Sequence, residues 1–383
     1  MNAPMSGRVA IAGVAESDLG ITGRTPMALQ AQAVTRALAE AGLSLSDVDG
    51  YCTSDLAGEY APSVRMAEYL GIRPTYHDTS ALGGASFLSQ TAHAAQAIRD
   101  GRAEVVVVGY ARAPRSWNPP VPAAPLYGPG QYERMWGAPF PVTAYALAAR
   151  RYLHDHGAAP EQLAAVAVAA RRWAGLNPAA YRRDPITVDD VLGSRMIADP
   201  LHALDCCLVT DGGGAIVLVG EDRARDLPQR PVFILGHGDA STHMNVSSMP
   251  DLTRTAAAAS GERALREAGV AVGDIDVFQI YDSFTVTVLL TMESLGLCGP
   301  GEAGPLVAAG HTAPGGDLPM NTNGGGLSYC HPGEYGIFTI IEAVRQLRGA
   351  CGDRQVPGAE LALAHGTGGE LSATSTLILG SNR

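Results

Sequence analysis

The sequence predicts an α/β fold built twice over, on three observations. Short apolar runs ended by glycine alternate with amphipathic helical stretches. Residues 37–49 (ALAEAGLSLSDVD) recur at 264–276 (ALREAGVAVGDID) with seven identities in thirteen positions. The neighbouring elements recur in the same order, so each half reads β-α-β, glycine loop, α-β. Strands alternating with helices imply a largely parallel sheet covered on both faces, and two copies imply a pseudo-twofold axis.

In the first half, Val9–Val14 is a buried strand, Pro26–Ala41 a helix capped by Gly42, and Ser46–Gly50 a turn into the next strand. Gly83-Gly84-Ala85-Ser86 then opens a helix to about Arg99, followed by the strand Glu104–Val108. The second half repeats this with Pro231–Gly236, a helix ending at Ala268-Gly269, the loop Gly324-Gly325-Gly326 with a helix ending near Arg348, and the strand Glu360–Ala364. The expected division is 1–112 plus 211–229 for the first half, 113–210 for an inserted loop domain, and 230–383 for the second half. Within the insertion, residues 114–143 are too rich in Pro, Gly and aromatics for regular structure. Thr143–His156 and Pro160–Leu176 read as amphipathic helices, and such an insertion usually covers a site or a subunit contact.

Composition narrows the function. A net charge of −11 argues against a nucleic-acid partner, because phosphate binding needs a basic face. With 46% apolar and only 17% charged residues, much surface is expected to be buried, as in a dimer interface. Residues Met1–Gly13 carry no signal-peptide pattern, and no stretch approaches the roughly 20 apolar residues of a membrane span. The six cysteines show no CxxC spacing. They are expected to be reduced thiols in a cytoplasmic protein, with neither a disulfide framework nor a metal site.

Four side chains could carry chemistry. His331, in Tyr329-Cys330-His331-Pro332-Gly333, precedes a proline that keeps it out of the α region, so its ring can project from the loop. His365 ends a buried strand and begins His365-Gly366-Thr367-Gly368-Gly369, where glycines admit a substrate and free amide N–H groups for an oxyanion. By the repeat, both histidines fall on loops at the same sheet edge. Tyr281 and Tyr329 could each donate or accept a proton, although buried tyrosines are more often packing residues. His93, His154, His156, His237 and His243 show no partner pattern. Ser86 is a helix cap before it is a nucleophile, and the glycine runs lack the context of a dinucleotide site.

At these residues the chain resembles the thiolase superfamily over essentially its whole length, above all the sterol-carrier-protein-x and lipid-transfer-protein groups. The segments that carry the resemblance are Asn177–Val191, Ser194–Leu201, Tyr281–Thr285, Asn321–Pro332 and His365–Gly369. The resemblance implies a duplicated five-layer α-β-α-β-α fold, a homodimer, and a CoA thioester as substrate with no further cofactor. It places His331 at the family's Gly-His-Pro histidine, and His365 at the second catalytic cysteine or its sterol-carrier-type histidine. Gly84, Ser86, Asn323, Gly325, Gly368 and Gly369 fall on its substrate-binding loops. Tyr281-Asp282-Ser283-Phe284 stands where the sterol-carrier branch has His-Asp-Cys-Phe. Gly84 stands where thiolases carry the acylated cysteine, and Cys330 is expected to point its thiol elsewhere.

The chain is also similar to the steroid side-chain aldolases, a cysteine-less branch that cleaves β-hydroxyacyl-CoA by a retro-aldol step. Its Tyr-Asp-x-Phe-Thr and Tyr-x-His segments match Tyr281–Thr285 and Tyr329–His331, although that branch is longer before its Tyr-x-His. Those aldolases work with a small OB-fold/zinc-ribbon protein that helps bind CoA, which implies a similar partner here. The resulting expectation is retro-aldol cleavage, with Tyr281 and Tyr329 as acid/base groups and His331 and His365 holding the thioester oxygen. The alternatives are an acyltransferase with another nucleophile and a non-catalytic acyl-CoA-binding subunit.

Overall fold

The computed structural model describes residues 9–54, 60–117, 128–137 and 140–381. Part of the Pro-rich segment 114–143 and most of the Met1–Gly13 stretch discussed above lie outside the described residues. The first half supplies β1 (Val9–Glu16), α1 (Pro26–Glu40), β2 (Gly50–Thr53), α2 (Pro62–Leu70), β3 (Tyr76–Thr79), α3 (Ser86–Arg99) and β4 (Val105–Arg112). Before β5 (Gly212–Gly220) come α4 (Val142–His156) and α5 (Pro160–Gly175). The second half supplies β6 (Val232–Ser241), α6 (Ala257–Ala268), β7 (Val277–Ile280), α7 (Thr285–Leu295), α8 (Gly325–Ser328), α9 (Gly336–Arg348), β8 (Leu361–Gly368) and β9 (Ala373–Gly380).

The strands form one sheet in the order β3-β2-β4-β5-β1-β6-β9-β8-β7. Its two halves meet where β1 pairs with β6, Ala10 opposite Phe233 and Ile11 opposite Val232. The order runs outward from this seam alike on both sides, and a bridge from Phe278 to Met320 stands where β3 stands in the first half. Helices α3 and α9 pack against each other and against strands of both halves, while α1 covers the first half and α6 the second. Helix, half-sheet, helix pair, half-sheet, helix is the expected five-layer arrangement.

One expectation is corrected. Only β2·β3, β2·β4 and β7·β8 pair in parallel. The pairings that build the centre are antiparallel: β9 turns back on β8 through residues 369–372, and β5, entering after α4 and α5, runs against both β4 and β1. The Pro-rich segment also holds some regular structure, a single helical turn at Gly130–Glu133. No described helix is long and apolar enough to cross a membrane.

The recurring segment does the same work twice. A Cβ on Gly13 would stand 2.2 Å from the Ala37 carbonyl oxygen, and one on Gly236 would stand 2.1 Å from that of Ala264. Glycine on each first strand thus lets the covering helix lie directly on the sheet. Glu40 accepts the Val14 N–H, as Glu267 accepts that of His237. Gly42 and Gly269 both end their helices at φ +71°. Asp47 accepts the Ser44 N–H and Asp274 that of Ala271. Asp49 receives the N–H groups of Glu104 and Val105, and Asp276 those of Glu360 and Leu361. Identity persists at these positions because each holds one helix or strand end in place.

Candidate active site

A cavity of about 580 Å³ opens where the loops ahead of α3 and α9 meet, its wall completed by the chain before β5. Tyr281 and His331 line it. Tyr281 is delivered by β7, whose register with β8 is closed by the bond from the Tyr281 N–H to the His365 carbonyl. His331 sits between α8 and α9, its N–H donating to Thr210 Oγ1 at 3.0 Å.

The two rings lie nearly parallel, 16° apart, and Tyr281 Oη is 2.7 Å from His331 Nε2. The pair is 6% and 8% exposed. Burial lowers the imidazole to about 4 and holds the phenol well above its usual 10. The imidazole is therefore neutral near pH 7. Backbone hydrogen bonds at His331 and Leu208 oppose burial without overcoming it, and the phenol, held protonated, is the group with a proton to give. Nε2 is then an acceptor, and the phenol donates to it.

Asp282 anchors the neighbouring loop. Its carboxylate accepts the N–H groups of Gly326 at 2.6 Å and Leu327 at 3.2 Å, at the start of α8. Burial lifts it to about 7 against the pull of those N–H groups. A Cβ on Gly325 would stand 2.0 Å from Asp282 Oδ2 at a φ of +65°, so only glycine fits this loop.

Position 84 faces the tyrosine. A Cβ there would stand 2.6 and 2.7 Å from Tyr281 Cε1 and Cδ1, and 2.9 Å from the Thr367 carbonyl oxygen. Gly84 and Gly369 line the cavity. Gly368 does not; a Cβ on it would stand 1.7 Å from the Leu82 carbonyl oxygen, so its role is to let that loop approach β8.

The remaining expected residues are placed elsewhere. Tyr329 turns away from the cavity, its hydroxyl donating to Glu16 Oε1 at 2.8 Å. Glu16 is in turn paired with Arg345. His365 lies on the face of β8 opposite Gly366, which contacts the Gly84 loop. Its Nδ1 is 2.9 Å from Thr376 Oγ1, its Nε2 is buried without a hydrogen bond, and burial pushes its pKa down to about 3. Ser86 is the first residue of α3 and not its cap; its hydroxyl accepts the Leu82 N–H at 2.8 Å and, fully buried, ties down the glycine loop. Asn323 holds its loop by accepting from the Gly325 N–H and the Tyr335 hydroxyl. Cys330 is fully buried and outside the cavity.

Sequence reasoning missed several lining residues. Tyr145 reaches the cavity from α4, its ring 4.4 Å from that of Phe284 and its hydroxyl 3.2 Å from the Gly369 carbonyl. Nothing in the local sequence marks it. Glu334, three residues after His331, carries the one detectable signal, a carboxylate beside the Gly-rich turn. Cys206 and Cys207 also line the wall. Among the described residues no group of three or more His, Cys, Asp or Glu side chains is arranged to hold a metal.

A duplicated α/β fold with a phenol–imidazole pair between its two glycine loops, and backbone alone at position 84, is a thiolase-like arrangement. The thiolase C-terminal domain-like family model matches residues 238–381. A steroid side-chain-cleaving aldolase of Thermomonospora curvata is 36% identical over 410 residues, covering 99% of each chain. The 17-hydroxy-3-oxo-4-pregnene-20-carboxyl-CoA lyase of Mycobacterium tuberculosis is 38% identical over 405 residues, 98% of this chain and 100% of that one. The solved Ltp2-ChsH2(DUF35) aldolase superposes with a TM-score of 0.90 at 34% identity, covering 99% of both chains. The chain belongs to the thiolase superfamily.

Proposed function

We propose that this protein is a lyase that cleaves the Cα–Cβ bond of a β-hydroxyacyl-CoA by a retro-aldol step without a covalent intermediate. The observation that carries this reading is the phenol of Tyr281 bonded to the neutral, buried imidazole of His331 beside a position that carries no side chain. The two aldolase or lyase relatives that match the chain end to end support the same reaction class.

In the cleavage direction the substrate's β-hydroxyl gives its proton to Tyr281 Oη as the phenol passes its own to His331 Nε2. The Cα–Cβ bond breaks, the β-carbon leaves as a ketone or aldehyde, and the electron pair moves into a thioester enolate. Backbone N–H groups along the glycine loops at Gly84 and Gly369 are the candidates to hold the enolate oxygen. The proton then returns through Tyr281 to Cα, giving the shortened acyl-CoA. Tyr329 and His365, facing away from the cavity, support the fold in this scheme rather than the chemistry.

Phe140, Val142, Ile197, Val209 and Phe284 give the cavity an apolar wall suited to a bulky acyl group, and no cofactor beyond the CoA thioester is called for. A small acyl-CoA-binding partner is inferred, since the aldolase that this chain superposes on pairs Ltp2 with a ChsH2(DUF35) component. Trp136, Met135 and Met244 stand largely exposed, as a partner or homodimer surface requires.

The test is to purify the chain with its partner, incubate with β-hydroxyacyl-CoA substrates, and follow products by mass spectrometry. The carbonyl fragment and a shorter acyl-CoA are expected in equal amounts. Cleavage at the full rate by a folded Tyr281→Phe variant would overturn the mechanism, and acyl transfer to added CoA without a carbonyl product would overturn the reaction class.

A further inference from the structure

Gly84 lies in the helical turn Gly83–Ala85 that runs directly into α3. The amide dipoles there favour a developing anion, and the Tyr281 ring contacts position 84 while its hydroxyl meets His331. A thiol at position 84 would have the helix end and the imidazole that activate a nucleophile. It has no room. The Tyr281 ring carbons lie 2.6 and 2.7 Å from where a Cβ would stand, closer than any carbon–carbon contact permits.

The ring is held by its neighbours. It is stacked with His331 and with Tyr335, with interplanar angles of 16° and 23° and centroids 5.6 and 5.9 Å away. Its hydroxyl is bound, and its backbone N–H is tied to the His365 carbonyl. Glycine at 84 is thus a condition for tyrosine at 281, and not only the loss of a thiol.

We propose that positions 84 and 281 exclude one another, and that Tyr281 sets the reaction class by filling the space a nucleophile at 84 would occupy. This rests on reading Tyr281 and His331 as the reacting centre. Restoring a thiol alone leaves the site unable to form an acyl-enzyme. Restoring it together with a small residue at 281 opens that chemistry: the thiol's proton passes to His331 Nε2, sulfur attacks the thioester carbonyl, and the bond to CoA breaks with CoA leaving as its thiol.

The experiment compares Gly84→Cys, Tyr281→Ala and the double variant, each as the full chain with its partner, using acetyl-CoA as the probe and intact-protein mass spectrometry as the readout. The double variant is expected to acetylate on the introduced thiol at least tenfold faster than Gly84→Cys. Tyr281→Ala alone keeps Cys206 and Cys207 at the cavity wall and sets the background to subtract, and peptide mapping places the added acetyl group on residue 84. Equal acetylation of Gly84→Cys and the double variant overturns the exclusion, and a folded double variant that does not acetylate overturns the placement of position 84.

A second cycle, Gly84→Ala with and without Tyr281→Ala, reads thermal unfolding and needs no catalysis. The loss of melting temperature from Gly84→Ala should shrink by half or more when the ring is absent and its two closest contacts are gone, with the 2.9 Å contact to the Thr367 carbonyl remaining. Losses that simply add overturn the proposal. Wild-type cleavage of β-hydroxyacyl-CoA is measured separately: its absence, alongside acetylation of the double variant, removes the proposed lyase function and leaves the exclusion standing.

Discussion

In the proposed mechanism Tyr281 and His331 share one proton path, so their contributions to catalysis should not add. Tyr281→Phe keeps the ring and removes the transferable proton, and kcat/KM is expected to fall by about 10²–10⁴-fold. His331→Ala should cost a similar factor, and the double variant little more than the worse single one, as residues acting as a unit do. Steady-state kinetics on the three variants checks this, and multiplicative losses would mean independent roles. The acid limb of the kcat/KM profile should likewise lie well below 6.5, because burial moves the imidazole down to about 4. A limb near 6.5 would show that His331 is hydrated in the working enzyme. At this scale the sequence revealed His331 and Tyr281, since a pre-proline histidine and a tyrosine at a strand end are both local patterns. It did not reveal that Tyr329 serves Glu16 instead, because direction within a buried loop depends on residues more than three hundred positions away.

Among the elements, the short loop and helix around α8 hold His331 relative to the sheet, and their geometry depends on Asp282 meeting a residue without a Cβ. Gly325→Ala forces both a positive φ and a 2.0 Å contact with the carboxylate. It is expected to destabilise the fold by about 1–3 kcal/mol, and to lower kcat more than KM through displacement of His331. Denaturant titration and kinetics together test this, and an unchanged unfolding midpoint would contradict it. The element order was legible because the repeat fixes it twice, down to Asp49 and Asp276 closing the same pair of strand ends. Strand direction was legible only in part. A strand buried on both faces reads as an unbroken apolar run whichever way it points, so β5, reached through a long insertion, carries no sign of running against its neighbours, whereas the short link 369–372 forces β9 back along β8. The lining residue Tyr145 was illegible for a different reason, since α4 shows the same small-residue and apolar periodicity whether or not one face borders a cavity.

For the molecule as a whole, burial of neutral histidines makes stability depend on pH. His331 and His365 are lowered to about 4 and about 3, while Asp282 is raised to about 7. Between pH 7 and about 4 the unfolded chain takes up two histidine protons that the folded chain refuses. The folded chain takes up one proton at Asp282 that the unfolded chain does not yet bind. Over these three groups the unfolded state gains one more proton in net, so their joint contribution to stability falls as pH drops through this window. The unfolding midpoint is expected to be lower at pH 5 than at pH 7.5, with a smaller difference in His365→Asn. The two halves are also tied by charge: Glu16 on β1 meets Arg345 on α9 and the Tyr329 hydroxyl. Burial alone would raise this carboxyl, but the guanidinium beside it prevails and holds it below the usual range. Glu16→Gln leaves the arginine without its counter-charge and should cost about 3 kcal/mol, read as a drop in urea midpoint with the slope preserved.

The seam at Ala10–Ile11 and Phe233–Val232, together with that ion pair, also decides how the enzyme can breathe. A sheet continuous through its centre leaves no cleft to widen by rocking one half against the other. Phe140, Pro141, Val142 and Val209, from the chain between β4 and β5, line the cavity beside the reacting pair. Lengthening or trimming that stretch should change which acyl groups enter and how fast products depart, while the reacting pair behind it stays fixed.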